Sequence, residues 1–232
     1  MSQAALAVLM RWPRPGEGKS RLAADVGVAA AHDLHRCFVA DTLAWPWAGP
    51  RVLAVAPDLA AVASTRAAAP RALVVAQPDG DLGVRIARAL RVALDTGATR
   101  ALLVGTDSPS LPHRLLVACL DAAVRQGAAM VPAEDGGFVA LAVDGAAVRA
   151  HGLHWLEDGG VAWSTDRTAA QVRAAARRRG LGVGCTTPWF DVDTVAGLER
   201  LHADLRRAPG RAPRTLRCLR RLGSPPVVER AS

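Results

Sequence analysis

The sequence contains no tyrosine, and aromatic residues make up only 4% of its 232 positions. Its core must therefore be built mostly from Ala, Val and Leu. Lysine is almost as scarce: Lys19 is the single lysine among 29 basic residues, and all the others are arginine. A surplus of Ala, Arg, Gly and Pro with so little Lys is the mark of a GC-rich coding sequence, so the arginine count by itself carries no functional information. Cysteine is limited to Cys37, Cys119, Cys185 and Cys218. Their wide spacing indicates neither a zinc-type cluster nor a disulfide framework, as expected in a reducing cytoplasm. Long apolar runs are also missing. Nothing approaches the ~20 residues of a membrane span, and the opening run AALAVLM is interrupted by Arg11 and Pro13 before it could act as a signal peptide. These absences lead to the expectation of a soluble, cytoplasmic protein.

What is present is a half-hydrophobic chain with a net charge of +8. A chain of this length can bury a sizeable core without covalent staples. Most of the positive charge lies beyond Asp204, where eight arginines face one acid, so the rest of the chain is near neutral. The expectation is a globular domain over residues 1–205 and a basic, Arg/Pro-rich tail over 206–232. Pro and Gly interrupt the tail and no aromatics are interleaved for stacking, so it reads as a solvated extension rather than a nucleic-acid-binding segment.

Along the chain, short apolar runs alternate with amphipathic stretches. Strands are expected over 4–10, 52–56, 73–76, 101–104, 129–131 and 138–143. Helices are expected over 29–43, after Pro57–Asp58, and over 82–95, 112–125, 168–179 and 194–207, the last capped by Thr194. Alternation of this kind implies an α/β domain with a mostly parallel sheet. In such sheets ligands bind beyond the carboxyl ends of the strands, so the residues just after each apolar run are the ones to inspect.

Three stretches follow from that rule, and a fourth, WFDVDT, sits just before the last long helix. RWPRPGEGKSRL, from Arg11, has Gly16 and Gly18 to bring backbone close to a ligand. Its Lys19 and Arg21 offer a point charge and a planar fork to adjacent phosphates. It matches neither the P-loop nor the GxGxxG spacing. GTDSPSLP puts Asp107 at the end of a buried strand, where a carboxylate needs a partner or a cation. In WFDVDT, Asp191 and Asp193 point the same way at strand spacing, and one of them could complete a Mg²⁺ site with Asp107. In PAEDGGF, Asp135 precedes Gly136 and Gly137, which either admit a substrate to the backbone or simply turn a hairpin. The His151/His154 pair beside Glu157 and Asp158 reads as a surface loop before it reads as a metal site.

Taken in order, RPGEGKSRL, QPDGDLGVRIARAL, GTDSPSLP, PAEDGGFVAL, WSTDRT and DVDTVAGLERL resemble a bacterial family of GT-A-like transferases, often labelled glycosyltransferases or radical-SAM/selenodomain-associated transferases. The resemblance spans Ala4 to Leu205. More distantly the chain is similar to 2-phospholactate and molybdenum cofactor guanylyltransferases. The resemblance implies a nucleotide-diphospho-sugar transferase (GT-A, Rossmann-like) fold, with a mixed, mostly parallel seven-stranded sheet between helices. It implies that Arg11, Gly16, Lys19 and Arg21 face nucleotide phosphates and that Gln77, Gly80 and Gly83 lie near the base. Asp107 and Asp193 would hold Mg²⁺ or Mn²⁺. Asp135, Gly136, Gly137, Trp163, Ser164 and Thr165 would serve the acceptor. The chain departs from the DxD triplet of many glycosyltransferases, having the single acid Asp107 between Thr106 and Ser108.

The leading functional expectation is a Mg²⁺-dependent nucleotidyltransferase that joins part of an NTP to a small phosphate- or phosphonate-bearing acceptor and releases pyrophosphate. Lys19, Arg21 and Asp107 would be its catalytic residues. The alternative is a glycosyltransferase that uses a nucleotide-sugar. A non-enzymatic binding role for the basic tail fits less well with acids placed at strand ends. An oligomer is compatible with the sequence, and no nucleic-acid partner is expected.

Overall fold

The computed structural model describes residues 4–223. In chain order its elements are β1 (Ala4–Arg11), α1 (Ser20–Val26), α2 (Val28–Leu43), β2 (Arg51–Ala56), α3 (Leu59–Ala68) and β3 (Leu73–Ala76). There follow α4 (Leu82–Asp95), β4 (Arg100–Val104), α5 (His113–Gln126), β5 (Gly127–Pro132) and β6 (Phe138–Asp144). The chain continues with α6 (Gly145–His151), α7 (His154–Glu157), α8 (Thr168–Arg178), β7 (Gly182–Cys185), α9 (Val195–Arg207) and α10 (Pro213–Leu222).

The elements fall into two compact units, each assembled from separate stretches of chain. The sheet unit comprises the described residues of Met1–Trp12, Pro46–Gly105 and Pro112–Phe190. It holds one seven-stranded sheet in the order β3-β2-β1-β4-β6-β5-β7. Four of the six strand pairings are parallel, and β6 runs antiparallel to both β4 and β5. The strands are near-continuous apolar runs because both faces are covered, as parallel sheets require. Ala5, Ala7, Val52, Ala101, Leu103, Met130 and Leu141 meet Ile86, Leu90 and Trp155 in one cluster. Small alanines on the strands are what the shortage of aromatics predicts.

Two local choices shape this unit. Asp81 starts α4 by accepting a hydrogen bond from the Val84 amide at 3.0 Å, and Asp58 does the same for α3 at Ala61, 2.9 Å. Each cap satisfies an amide that a helix start leaves open. β1 pairs in parallel with β4 from Ala4↔Arg100 to Val8↔Val104. Their carboxyl ends therefore lie side by side, at the point where the strand order reverses and where such folds bind ligands.

The helical unit comprises the described residues of Pro13–Trp45, Thr106–Leu111 and Asp191–Ser232. It contains α1, α2, α9 and α10, with α10 packed on α2 and α9. Here the sequence expectation needs correcting. Residues 213–222, read above as solvated tail, form a helix that buries Thr215, Leu216, Cys218 and Leu219. Its apolar positions recur at helical spacing, and the intervening arginines masked that pattern. The stretch beyond Gly223 lies outside the described residues.

Candidate functional site

Three segments of the helical unit converge on one point. The loop after β1 holds Gly16, Gly18 and Lys19 in left-handed backbone conformation, with φ of 77°, 72° and 50°. Glycine adopts that region freely, whereas an L-residue such as lysine does so at a cost of about 1–2 kcal/mol. Lys19 is also the N-cap of α1, its carbonyl accepting from the Ala23 amide at 2.8 Å. The strained backbone turns its side chain inward, where the ammonium passes the Phe38 ring of α2 at 5.6 Å from the centroid.

The ammonium ends among three oxygens. It lies 2.7 Å from Asp107 Oδ1 and 2.8 Å from Asp193 Oδ1, and it donates to the Val192 carbonyl at 2.7 Å. The two acid-bearing loops are themselves joined, since the Val192 amide donates to the Asp107 carbonyl at 2.9 Å. The Lys19 side chain is only 5% exposed, against 48% for Asp107 and 42% for Asp193. Burial alone would lower the lysine pKa, but the two neighbouring carboxylates outweigh it and hold the pKa above the usual value. The ammonium is therefore charged at neutral pH, and each of its three N–H groups has an acceptor.

This arrangement distinguishes the two cations of the loop. Arg21 is exposed and has no partner among the described residues. Gly16, Glu17 and Gly18 are exposed as well. Together with Ser20, Val28 and His32 they wall a cleft of about 320 Å³. Of the two acids in WFDVDT, Asp193 is the one that reaches the ammonium. Asp107 caps no helix, because α5 begins after Pro112.

The remaining sequence-derived candidates lie in the sheet unit. Gln77 uses its Nε2 to bridge the carbonyls of Met10 and Ala54, both at 2.9 Å, and so ties β1, β2 and β3 together. Gly80 adopts a φ of 118° ahead of α4. Gly83 leaves room for the Leu156 carbonyl and the Trp163 ring. Arg11 is exposed at the end of β1. Asp135, Gly136 and Gly137 form the β5–β6 turn, with Asp135 Oδ1 accepting from the Gly137 amide at 2.9 Å. That turn abuts the 163–168 loop: any side chain on Gly136 would overlap the Asp166 carbonyl, and the Ala169 amide donates to the Gly136 carbonyl at 2.9 Å. Trp163 stands edge-on to Phe138 at 6.4 Å. Thr165 donates to the Ala162 carbonyl at 2.8 Å, whereas exposed Ser164, with φ 61°, has no partner among the described residues. The acceptor-side candidates therefore do gather in space. The Val192 carbonyl and Phe38 were not legible, because a main-chain acceptor and a core ring carry no sequence signature.

Among the described residues no group of three or more His, Cys, Asp or Glu forms a metal cluster. Glu157 and His154 are taken up elsewhere: Arg91 grips Glu157 through its two terminal guanidinium nitrogens, at 2.7 and 2.6 Å, and His154 Nδ1 lies 3.3 Å from the same carboxylate.

The family described as "Uncharacterized protein conserved in bacteria (DUF2064)" matches residues 39–165, just over half of the chain. The chain belongs to this family. No curated protein matches this DUF2064 member. Among solved structures, a provisionally assigned nucleotide-diphospho-sugar transferase from Desulfovibrio desulfuricans G20 superposes with a TM-score of 0.83 and 29% identity, covering 95% of each chain. A 4-diphosphocytidyl-2C-methyl-D-erythritol synthase from Anaerococcus prevotii DSM 20548 superposes with a TM-score of 0.54 and 12% identity, over 87% of this chain and 96% of that one. A cytidylyltransferase from Leptospira borgpetersenii serovar Hardjo-bovis strain JB197 gives 0.51 and 12%, over 91% and 97%. The fold of this DUF2064 protein is thus GT-A-like, a mixed seven-stranded sheet flanked by helices. No helix among the described residues is long and apolar enough to cross a membrane.

Proposed function

We propose that the protein is a nucleotide-dependent transferase, and specifically a divalent-cation-dependent nucleotidyltransferase acting on a small phosphate- or phosphonate-bearing acceptor. The observation that carries this reading is the convergence of Asp107 and Asp193 on one cation beside a glycine-rich loop with a free arginine. Two carboxylates and a carbonyl around one point are an all-oxygen donor set, the kind that Mg²⁺ and Mn²⁺ accept. The residues present therefore fit such an ion, with Asp107 and Asp193 as its protein ligands. A bound divalent ion would supply charge neutralisation at the phosphates.

The chain's own residues do the rest. Arg21, exposed and unpaired, offers its planar fork to the leaving pyrophosphate. The exposed glycines let phosphate oxygens approach the backbone. An acceptor oxygen attacks the α-phosphorus, the bond to the bridging oxygen breaks, and pyrophosphate departs with that electron pair. No enzyme nucleophile is required, so positioning and electrostatics carry the catalysis. Gln77, Gly80 and Gly83 for the base, and Asp135, Gly136, Gly137, Trp163, Ser164 and Thr165 for the acceptor, are the further assignments of this reading.

A second reading, transfer of a sugar from a nucleotide-sugar, is favoured by the assignment of the 29%-identical relative as a nucleotide-diphospho-sugar transferase. Thermal shift with a panel of NTPs and nucleotide-sugars, with and without Mg²⁺, separates the two. The nucleotidyltransferase reading expects the larger Mg²⁺-dependent shift with an NTP. A shift with a nucleotide-sugar and none with any NTP would overturn it in favour of the second.

A further inference from the structure

Lys19 raises a question that the proposed reaction leaves open. All three of its N–H groups are used by Asp107, Asp193 and the Val192 carbonyl, so in this arrangement none is available to a phosphate. The same three oxygens are those that a divalent cation at this site would need. One cage cannot hold both ions, because they would sit on the same point and repel.

We propose that the Lys19 ammonium and a divalent cation are alternative occupants of the cage formed by Asp107, Val192 and Asp193, so that metal entry expels Lys19 and turns it toward the nucleotide phosphates. The inference rests on the metal-dependent reading above. Its physical basis is charge and size. Two carboxylates with one ammonium carry a net charge of −1, whereas with a divalent ion they are neutral. The expelled ammonium then joins Arg21 on a loop that must face a polyanion. Oxygens at 2.7–2.8 Å suit an ammonium, while Mg²⁺ draws its ligands in to about 2.0–2.1 Å. The cage can contract because its oxygens lie on two separate loops and both acids are about half exposed. The lysine can leave because it sits in a left-handed backbone conformation directly after Gly16 and Gly18, a geometry that costs energy and is relieved by movement. Without a replacement cation the lysine stays, since its departure would leave two carboxylates facing each other.

The sole lysine makes the test direct. In nucleotide-free protein labelled at lysine Nζ, the single side-chain ammonium resonance is expected to show slow solvent exchange, and to lose that protection as Mg²⁺ saturates the site. Mn²⁺ binding, read by the electron-paramagnetic-resonance signal of free Mn²⁺, is expected to be at least about tenfold tighter in Lys19→Met, some 1.4 kcal/mol. Asp193→Asn in that background is expected to abolish it. Equal Mn²⁺ affinity in wild type and Lys19→Met would overturn the exchange, as would a lysine resonance unchanged by saturating Mg²⁺. So would Mn²⁺ binding that survives Asp193→Asn, or no binding at all. If Lys19→Met fails to fold, the resonance measurement on the wild-type chain still decides. Neither readout involves turnover, so absent NTP activity would refute the proposed reaction and leave this result standing.

Discussion

Lys19 spends its three donors inside the fold, whereas Arg21, two residues on, spends none. This contrast orders the expected effects of mutating the loop. Arg21→Ala removes an exposed, unpaired side chain, so stability should change by less than about 0.5 kcal/mol. Binding of a triphosphate should nevertheless weaken by roughly tenfold, the scale of one charge-assisted contact. Isothermal titration with NTP and Mg²⁺ alongside urea unfolding checks both halves, and unchanged affinity would remove Arg21 from the proposed phosphate site. Gly136→Ala should behave in the opposite way. A methyl group there collides with the Asp166 carbonyl, in a backbone conformation of φ 90° that alanine avoids. The expected cost is about 2 kcal/mol or more, seen as a lower melting temperature, whatever the turn contributes to acceptor binding. At this scale the sequence named the charged residues of the cage but not their pairing. Asp107 and Asp193 lie far from Lys19 in the chain, and polar contacts follow no periodicity that a sequence displays.

Among the elements, the strands and long helices were the legible part. Val8, Val55 and Val104 sit in apolar runs too short for helices, and α4 repeats Leu82, Ile86, Leu90 at helical spacing. β7 was not legible because GVGC has neither alternation nor bulk; only its pairing with β5 makes it a strand. The joining of α4 to α7 was equally hidden. It includes Arg91 and Glu157, a bidentate ion pair whose carboxylate is only 16% exposed. The hydrogen bonds from Arg91 hold the Glu157 carboxyl below its usual value, with His154 adding to the effect and burial opposing it. A carboxylate with a depressed folded-state pKa contributes stability that is fully present above its unfolded value near 4.5, and that is lost as pH falls through the folded value. Urea unfolding should therefore show wild type losing more stability than Arg91→Met between about pH 5 and pH 3. Parallel pH profiles for the two proteins would mean that the pair contributes nothing to the α4–α7 contact.

Across the whole molecule, chain order and spatial order part company. The helical unit takes its pieces from three distant stretches of sequence, so its last helix is not an appendage. On α2, the buried Asp41 carboxylate accepts the Arg214 and Thr215 amides at 3.1 and 2.7 Å and thereby fixes the start of α10. One turn away from each of these anchors, Cys37 of α2 and Cys218 of α10 lie close enough for each thiol to perturb the other. Cysteines that look unrelated by spacing thus meet, which only an antiparallel helix pair could reveal. Part of the basic run is also neutralised locally, since Arg211 reaches Asp204 at 3.1 Å and Arg214 reaches Asp41 at 3.4 Å. Deleting residues 206–232 would expose the surface of α2 and α9 that α10 covers and leave the Asp41 carboxylate without its amide donors. Uncovering Leu216-sized contacts costs about 1.5–3 kcal/mol per large side chain, and the hydrogen bonds that the Asp41 carboxylate accepts from the Arg214 and Thr215 amides are lost with them. The truncated protein should melt well below the full chain. Hydrogen exchange should locate the damage: amides of α2 and α9 should lose protection while those of β1 and β4 keep theirs, because the sheet's core cluster draws on none of the deleted residues. A truncated chain that melts like the full one, with α2 still protected, would restore the picture of a solvated tail and leave the burial of Leu216 and Leu219 without energetic weight.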